Sequence, residues 1–440
     1  MQLPTKLSAF PTQGKVAVMA ALANLEPSYS VAAVADGQIK LLKELGHEVV
    51  FVTTDDFREA DKLPSDVEVR QYPRPAFPFS AEGYADFNTY VAITSKLLRQ
   101  LLADCSTCIT HDLLFLTDFL PINWAIRKAG AKLPSLHWLH WIHSGPSSRP
   151  QNLEYPLAGC YSGMERSELV YVNRTDVPAL ADMFNVPETN IRVVHNFLDP
   201  TSIYEFHPLS TELLRHIDYQ SADVVAVYPT RTTPAKQVDK AVKLMGAVKA
   251  NGLSPRIVVC NSYSNADGEK KQVEELSELA KLLGLSESEC VFTSAFESSW
   301  AKECGHDIQL GVPRRVVGEL MQMSDVFVLP SVSEGCSLIM LEAAMAKNLV
   351  VLNDDLKSLT EFGGQKLNGP ASARCLYFSF GSVSRPISQY HPSEEQWYLD
   401  HARSLISHLE SDQSLEFFRH VRKRHSPRWV YLNQLGPLLH

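Results

Sequence analysis

No run of eighteen apolar residues occurs in the chain, so no transmembrane helix is expected. Residues 1–11 lack a long apolar core, which argues against a signal peptide. No tandem repeat or low-complexity tract is present, which excludes a repeat architecture. Positive charge is in deficit: 41 Lys and Arg stand against 50 Asp and Glu, a formal net charge of -9. The chain as a whole is therefore not built to coat nucleic acid or an anionic membrane, and only a local basic patch could do so. Cysteine is sparse, at eight scattered residues, and several fall inside expected strands or helices, Cys260 and Cys336 among them. That pattern fits reduced thiols in a cytoplasmic protein rather than a disulfide framework. Cys105 and Cys108 form a C-x-x-C with no second pair nearby, so no zinc site is expected there.

What is present is an ordinary globular composition, 45% hydrophobic and 21% charged, over 440 residues. The length suits two or three domains. Strand and helix patterns alternate along the first half. Residues 15–21, 49–53, 108–111, 136–142, 169–172 and 191–195 read as strands. Helices are expected from the loop after Pro27 to Leu45, with Gly46 as stop signal, and over 91–102, 119–129 and 177–184. A polar, irregular stretch over 196–221 precedes a second series. There, 224–228, 256–260, 290–293, 326–329 and 349–352 read as strands, and 238–250, 268–283, 316–323 and 338–346 as helices. This alternation predicts two Rossmann-like, doubly wound parallel-sheet α/β domains facing a cleft. The expected domains are 1–200 and 201–392, followed by a helical, charged segment 393–440.

The most informative stretch is residues 330–352, PSVSEGCSLIMLEAAMAKNLVVL. It reads as the turn after one strand, a helix, and the next strand. Glu334 would sit in the turn, at the sheet edge where open α/β sheets bind ligands. The amides of Gly335, Cys336, Ser337 and Leu338 would open the helix, and a helix N-terminus attracts phosphate. Glu342 follows about two turns later, at ~3.6 residues per turn. A carboxylate for hydroxyls, amides for phosphate and a second carboxylate for hydroxyls suit a nucleotide-sugar. About a hundred residues earlier, Tyr228–Lys236 reads YPTRTTPAK, placing Arg231 and Lys236 between a strand and a helix. A guanidinium fork and a mobile ammonium could neutralise a diphosphate leaving group without a metal ion or any other cofactor.

Three clues coincide: the Arg-x4-Lys loop, the E-x7-E segment, and VVHNFLD over residues 193–199 at the domain junction. Together they resemble the retaining glycosyltransferases of the GT-B fold, in particular family 4. The junction is similar to that family's V-x-N-G-V-D, with Asn196 and Asp199 in place and Phe197 where glycine is usual. Residues 311–313 through 325–331 resemble the helix and strand before the E-x7-E, and Glu361 matches another frequent acidic position. The resemblance covers residues 190–365 well and the first half in outline, and it implies that the segment 393–440 crosses back to the first domain. It implies that Glu334 binds donor-sugar hydroxyls and Glu342 the ribose hydroxyls. It gives Arg231 and Lys236 the diphosphate, and places the base against residues between Thr293 and Pro313. The first loop, residues 22–30, departs from the family by having no glycine pair; Ser28 or Ser30 is expected to cap the helix after it instead.

Residues 136–144 read LHWLHWIHS, with His137, His140 and His143 every third position. That spacing does not put all three on one strand face, so a three-histidine metal site is not expected. Family members often carry a histidine at the end of this strand, and either His140 or His143 fits. His111-Asp112 ends another strand. The run RHVRKRHSPRW over residues 419–429 could attract nucleic acid or a membrane surface, or be the solvated face of a closing helix. The expected function is metal-independent, retaining transfer of a sugar from a nucleotide-diphosphate sugar to an acceptor hydroxyl. The acceptor could be a saccharide, a lipid-linked sugar, a small molecule, a protein or a modified nucleobase. The alternatives are a nucleotide-sugar epimerase of the same fold and a non-catalytic sugar-nucleotide or nucleic-acid binding protein.

Overall fold

The computed structural model describes residues 14–26, 29–75, 84–263, 266–334, 337–359, 363–364, 375–380 and 392–439. The chain divides into two compact units, Met1–Leu198 with Pro427–His440, and Asp199–Ser426. Each unit is a doubly wound α/β domain on one parallel sheet. Among the described residues no helix is long and apolar enough to cross a membrane.

The strands of the first unit are β1 (Lys15–Met19), β2 (Val49–Thr54), β3 (Glu68–Tyr72), β4 (Cys105–His111), β5 (His137–Ile142), β6 (Ser167–Tyr171) and β7 (Ile191–Val193). Its principal helices are α1 (Ser30–Glu44), α2 (Tyr84–Leu101), α3 (Leu120–Gly130) and α4 (Val177–Phe184). The sheet order is β3-β2-β1-β4-β5-β6-β7. Its central strands are buried on both faces, as in a parallel sheet clad by helices. In β1, Val16 and Val18 point into one core layer and Ala17 and Met19 into the other. Cys105 and Cys108 are both buried in β4, and burial pushes the Cys105 thiol up to about 11. The N-cap of α1 is Tyr29, so Ser30 is the first helical residue rather than its cap; Ser28 lies outside the described residues.

In the second unit the short helices α5 (Pro200–Ile203) and α6 (Pro208–His216) come first. They are followed by β8 (Val224–Pro229), α7 (Val238–Ala250), β9 (Pro255–Cys260), α8 (Ala266–Leu282) and β10 (Cys290–Phe292). Then come α9 (Ser299–Cys304), α10 (Arg314–Gln322), β11 (Val326–Leu329), α11 (Leu338–Met345), β12 (Leu349–Asn353) and β13 (Leu376–Phe378). Two long helices, α12 (Pro392–Ser411) and α13 (Gln413–Arg424), complete this unit, and the short α14 (Pro427–Val430) after them belongs to the first. The sheet order is β10-β9-β8-β11-β12-β13. The order reverses between β8 and β11, which makes their C-terminal ends the topological switch point where such sheets bind ligands.

Several elements depart from the sequence expectation, among them β3, β13 and α6. β3 is an edge strand of mostly polar residues, EVRQY, with only Tyr72 buried, so its apolar alternation is too weak to read. β13 has only three residues. α6 lies inside the stretch expected to be irregular; Leu209, Leu213 and Leu214 bury one face, Pro208 opens the helix, and His207 caps it through Leu209 N. The C-terminal helical segment stays with the second unit as far as Ser426. From there Val430, Tyr431, Leu435 and Leu439 enter the first unit's core, and Tyr431 Oη lies 2.6 Å from His47 Nε2.

The basic run falls largely on α13. Arg422 is wholly buried against Asp325, Lys423 pairs with Asp223, and the Arg419 Nε donates to the Asp223 carbonyl at 2.8 Å. These three cations are thus engaged inside the unit.

Candidate active site

Two loops leave the switch point of the second sheet. The loop after β8 carries Arg231 and Lys236, and the loop after β11 carries Glu334. Tyr228, buried in β8, donates from its hydroxyl to the Lys236 carbonyl at 2.9 Å. A single turn of 3-10 helix follows, Pro234–Lys236, and Gln237 then adopts φ 51° before α7 begins. A left-handed conformation is uncommon outside glycine and costs on the order of 1 kcal/mol or more. It turns the chain sharply, so that Lys236 projects at the sheet edge instead of joining α7.

Across the switch point, Val332 N and Ser331 Oγ both donate to the Ala235 carbonyl, at 3.0 and 3.1 Å. The two loops are therefore bound backbone to backbone one residue from Lys236. Their side chains meet as well: the Lys236 ammonium forms an ion pair with the Glu334 carboxylate, 98 positions away in sequence. Both groups are mostly shielded, with side-chain exposures of 24% and 13%. A hydrogen-bonded charge pair in this setting is stronger than one on the open surface. The Glu334 carbonyl accepts from Ser358 Oγ at 2.7 Å. The Thr232 hydroxyl, buried in the same loop, has no partner among the described residues.

The other expected residues are distributed as follows. Arg231 lies exposed in the β8 loop; its carbonyl accepts from Thr230 Oγ1 at 3.2 Å, and its guanidinium has no partner among the described residues. Gly335, Cys336 and Glu361 lie outside the described residues. Ser337 is the buried N-cap of α11, without a side-chain cap, and Leu338 is the first helical residue, 68% exposed. Glu342, in the second turn of α11, pairs with Arg314 at 2.5 Å. Arg314 opens α10, and nothing in the sequence singled it out. Asp199 caps α5, its Oδ1 accepting from Thr201 N at 3.0 Å.

In the first unit the histidines separate by depth. His140 is fully buried within β5, its Nδ1 2.8 Å from Thr110 Oγ1. His143 stands just past the end of β5, partly exposed. Its Nε2 is 2.9 Å from the Nδ1 of His111, and the rings stack with centroids 5.2 Å apart. Asp112, at φ 55°, accepts from the His143 amide at 2.7 Å and fixes the turn. So of the two candidates, His143 occupies the sheet edge and His140 the strand interior.

Burial lowers the pKa of these rings: His140 to about 3, with the charges of Arg127 and His137 adding to it, His143 to about 4, and His111 well below the ordinary value. In the unfolded chain each titrates near ~6.5. Below that pH the unfolded state binds more protons than the folded one, so stability falls as pH falls. Asp112, whose carboxyl burial pushes up, acts in the opposite sense. Going from pH 6.5 to 5, His140 and His143 should each remove about 1.6 kcal/mol of stability. Urea midpoints of the first unit at the two pH values measure this. An unchanged midpoint would show that the rings are accessible to protons.

No family profile and no curated protein sequence matches this chain. Solved structures do. A glycosyltransferase from Rickettsia africae is 14% identical, with 97% of this chain and 98% of that one covered, at a TM-score of 0.37. Anabaena Alr3699/HepE in complex with UDP is 13% identical, with coverage of 95% and 97% and a TM-score of 0.34. The catalytic domain of starch synthase IV from Arabidopsis thaliana, bound to ADP and acarbose, is 14% identical, with coverage of 97% and 98% and a TM-score of 0.35.

Proposed function

We propose that this chain is a retaining, metal-independent glycosyltransferase that takes its sugar from a nucleotide-diphosphate donor. The observation that carries the reading is the meeting of Lys236 and Glu334 at the switch point of the second sheet. Lys236 and the exposed Arg231 hold the diphosphate and offset the charge it gains as it leaves. The first amides of α11 add their dipole to the same phosphate. Glu334 accepts hydrogen bonds from donor-sugar hydroxyls, and Glu342 accepts those of the ribose. The acceptor is assigned to the first unit.

In the reaction the bond between the anomeric carbon and the diphosphate oxygen breaks. The acceptor oxygen bonds to the same face of that carbon, and the acceptor proton passes to the departing diphosphate. An exposed guanidinium with no partner among the described residues suits this reading better than passive binding does, because a sensor has no leaving group to neutralise.

A panel of UDP-, GDP-, ADP- and TDP-sugars tests the reading by thermal shift and by release of nucleoside diphosphate. At a hundred times Kd the matching donor should add about 2.7 kcal/mol of stability, a shift of several degrees. Slow diphosphate release should accompany it. Conversion of the donor to an isomeric nucleotide-sugar would identify an epimerase instead. If no donor stabilises the protein, the donor site does not exist.

A further inference from the structure

Two asparagines bracket β12 and perform the same chemistry at opposite edges of the sheet. Asn348, just before the strand, donates from Nδ2 to the carbonyls of Met321 and Ser324, at 2.9 and 2.8 Å. Asn353, its last residue, donates from Nδ2 to the carbonyls of Pro330 and Ser331, at 3.4 and 3.2 Å. Its Oδ1 accepts from Asp355 N at 3.1 Å. Both side chains are buried. In a parallel sheet all C-terminal ends lie on one edge, so Asn353 is on the edge of Lys236 and Glu334, and Asn348 is on the far one.

From Asn353 the hydrogen bonds continue toward the ion pair. Asn353 holds the carbonyl of Ser331, and the Ser331 hydroxyl, fully buried, holds the carbonyl of Ala235. Ala235 is the neighbour of Lys236, whose own carbonyl is held by Tyr228. The ends of β12, β11 and β8 are thereby joined in one frame that fixes both loops. Removing the Asn353 amide takes a donor from two carbonyls, and removing the Ser331 hydroxyl leaves the Ala235 carbonyl with Val332 N alone, so the frame loosens and the loops can shift.

We propose that Asn353 and Ser331 are positioning residues that set the separation and orientation of Lys236 and Glu334. The catalytic consequence rests on the glycosyl-transfer reading; the geometric claim does not. Asn348 supplies the control, because its removal also breaks two buried amide bonds on the same strand but leaves the site edge intact.

The experiment compares Asn353→Ala, Ser331→Ala, Ser331→Thr and Asn348→Ala. In the absence of donor, acylation of the Lys236 amine by an N-hydroxysuccinimide ester is followed by peptide mass spectrometry. Asn353→Ala and Ser331→Ala should raise the Lys236 labelling rate several-fold, since the ammonium loses its fixed partner. Asn348→Ala should leave the rate at the wild-type value, and Ser331→Thr, which keeps the hydroxyl, should restore it. With donor, kcat in Asn353→Ala should fall by about 100-fold with KM little changed, the effect of displacing catalytic groups by about 1 Å. In Asn348→Ala it should stay within about threefold.

Equal labelling of Lys236 in the two asparagine variants would overturn the proposal, as would equal losses of kcat. If Asn353→Ala does not fold, Ser331→Ala against Ser331→Thr makes the same comparison. If the wild-type protein turns over no donor, the transferase reading fails on its own, and the labelling rates alone decide whether Asn353 positions Lys236.

Discussion

Glu334→Ala should lower sugar transfer by about 10²- to 10³-fold, and Lys236→Ala by a similar factor, while the fold survives. The expectation follows from what each group faces. Lys236 is the shielded cation of the β8 loop, and Glu334 is its partner from the β11 loop. Removing Lys236 takes away charge that the leaving diphosphate needs most in the transition state, so kcat should drop more than donor affinity. Removing Glu334 takes away acceptors for donor hydroxyls and also frees Lys236 to move. Because the two groups touch, their effects should not add, and the double variant should be little worse than either single one. Glu334→Gln can still hydrogen-bond a hydroxyl but cannot hold the ammonium. It should fall between the wild type and Glu334→Ala. Steady-state kinetics on the four proteins, with circular dichroism to check folding, measures this. Near-normal turnover in both single variants would sink the site assignment.

The largest effect on stability should come from Arg422. Its guanidinium, 1% exposed, bonds both oxygens of Asp325, which is 0% exposed, at 3.0 and 2.9 Å. It also donates to the carbonyls of Ala222 and Asp223, at 3.1 and 3.3 Å, and lies over the rings of Tyr219 and Phe418. Asp325 in turn accepts from Val225 N at 2.7 Å, across the start of β8 and β11. Arg422→Ala leaves a carboxylate buried without its cation, and breaking such a pair costs about 3 to 5 kcal/mol. Asp325→Ala strands the guanidinium and also leaves the Val225 amide without its acceptor, so it should cost at least as much. The double variant Arg422→Met with Asp325→Asn removes both charges yet keeps an acceptor for Val225. It should recover much of the loss. Urea unfolding of the second unit reads these differences. A loss below about 1 kcal/mol in Arg422→Ala, the size of an exposed pair, would show that water reaches the site.

That pair also marks where sequence reading stopped. The run over residues 419–429 is basic by composition, and a run of charge can be read equally as a binding patch or a solvated helix face. What the run could not show is that three of its cations are engaged, by Asp325, 97 residues before Arg422 in the chain, and by Asp223. Charge partners this far apart leave no mark on local spacing. The same holds for Glu342, whose partner Arg314 lies 28 residues before it, on another helix. The histidines show the limit from the other side. The resemblance left both His140 and His143 open, and only the end of β5 at Ile142 put one in the strand interior and the other past its edge.

The sequence by itself determined the alternation of strands and helices and the two parallel sheets, because apolar periodicity and glycine or proline stops act within a few residues. It also determined that Lys236 and Glu334 would each follow a strand. That the two strands are neighbours at a switch point, that the two side chains pair, and that Ser331 and Asn353 join their loops was decided only by the tertiary structure. These contacts depend on strand order and register. Those are fixed by the packing of the whole sheet, not by the residues on either side of any one contact.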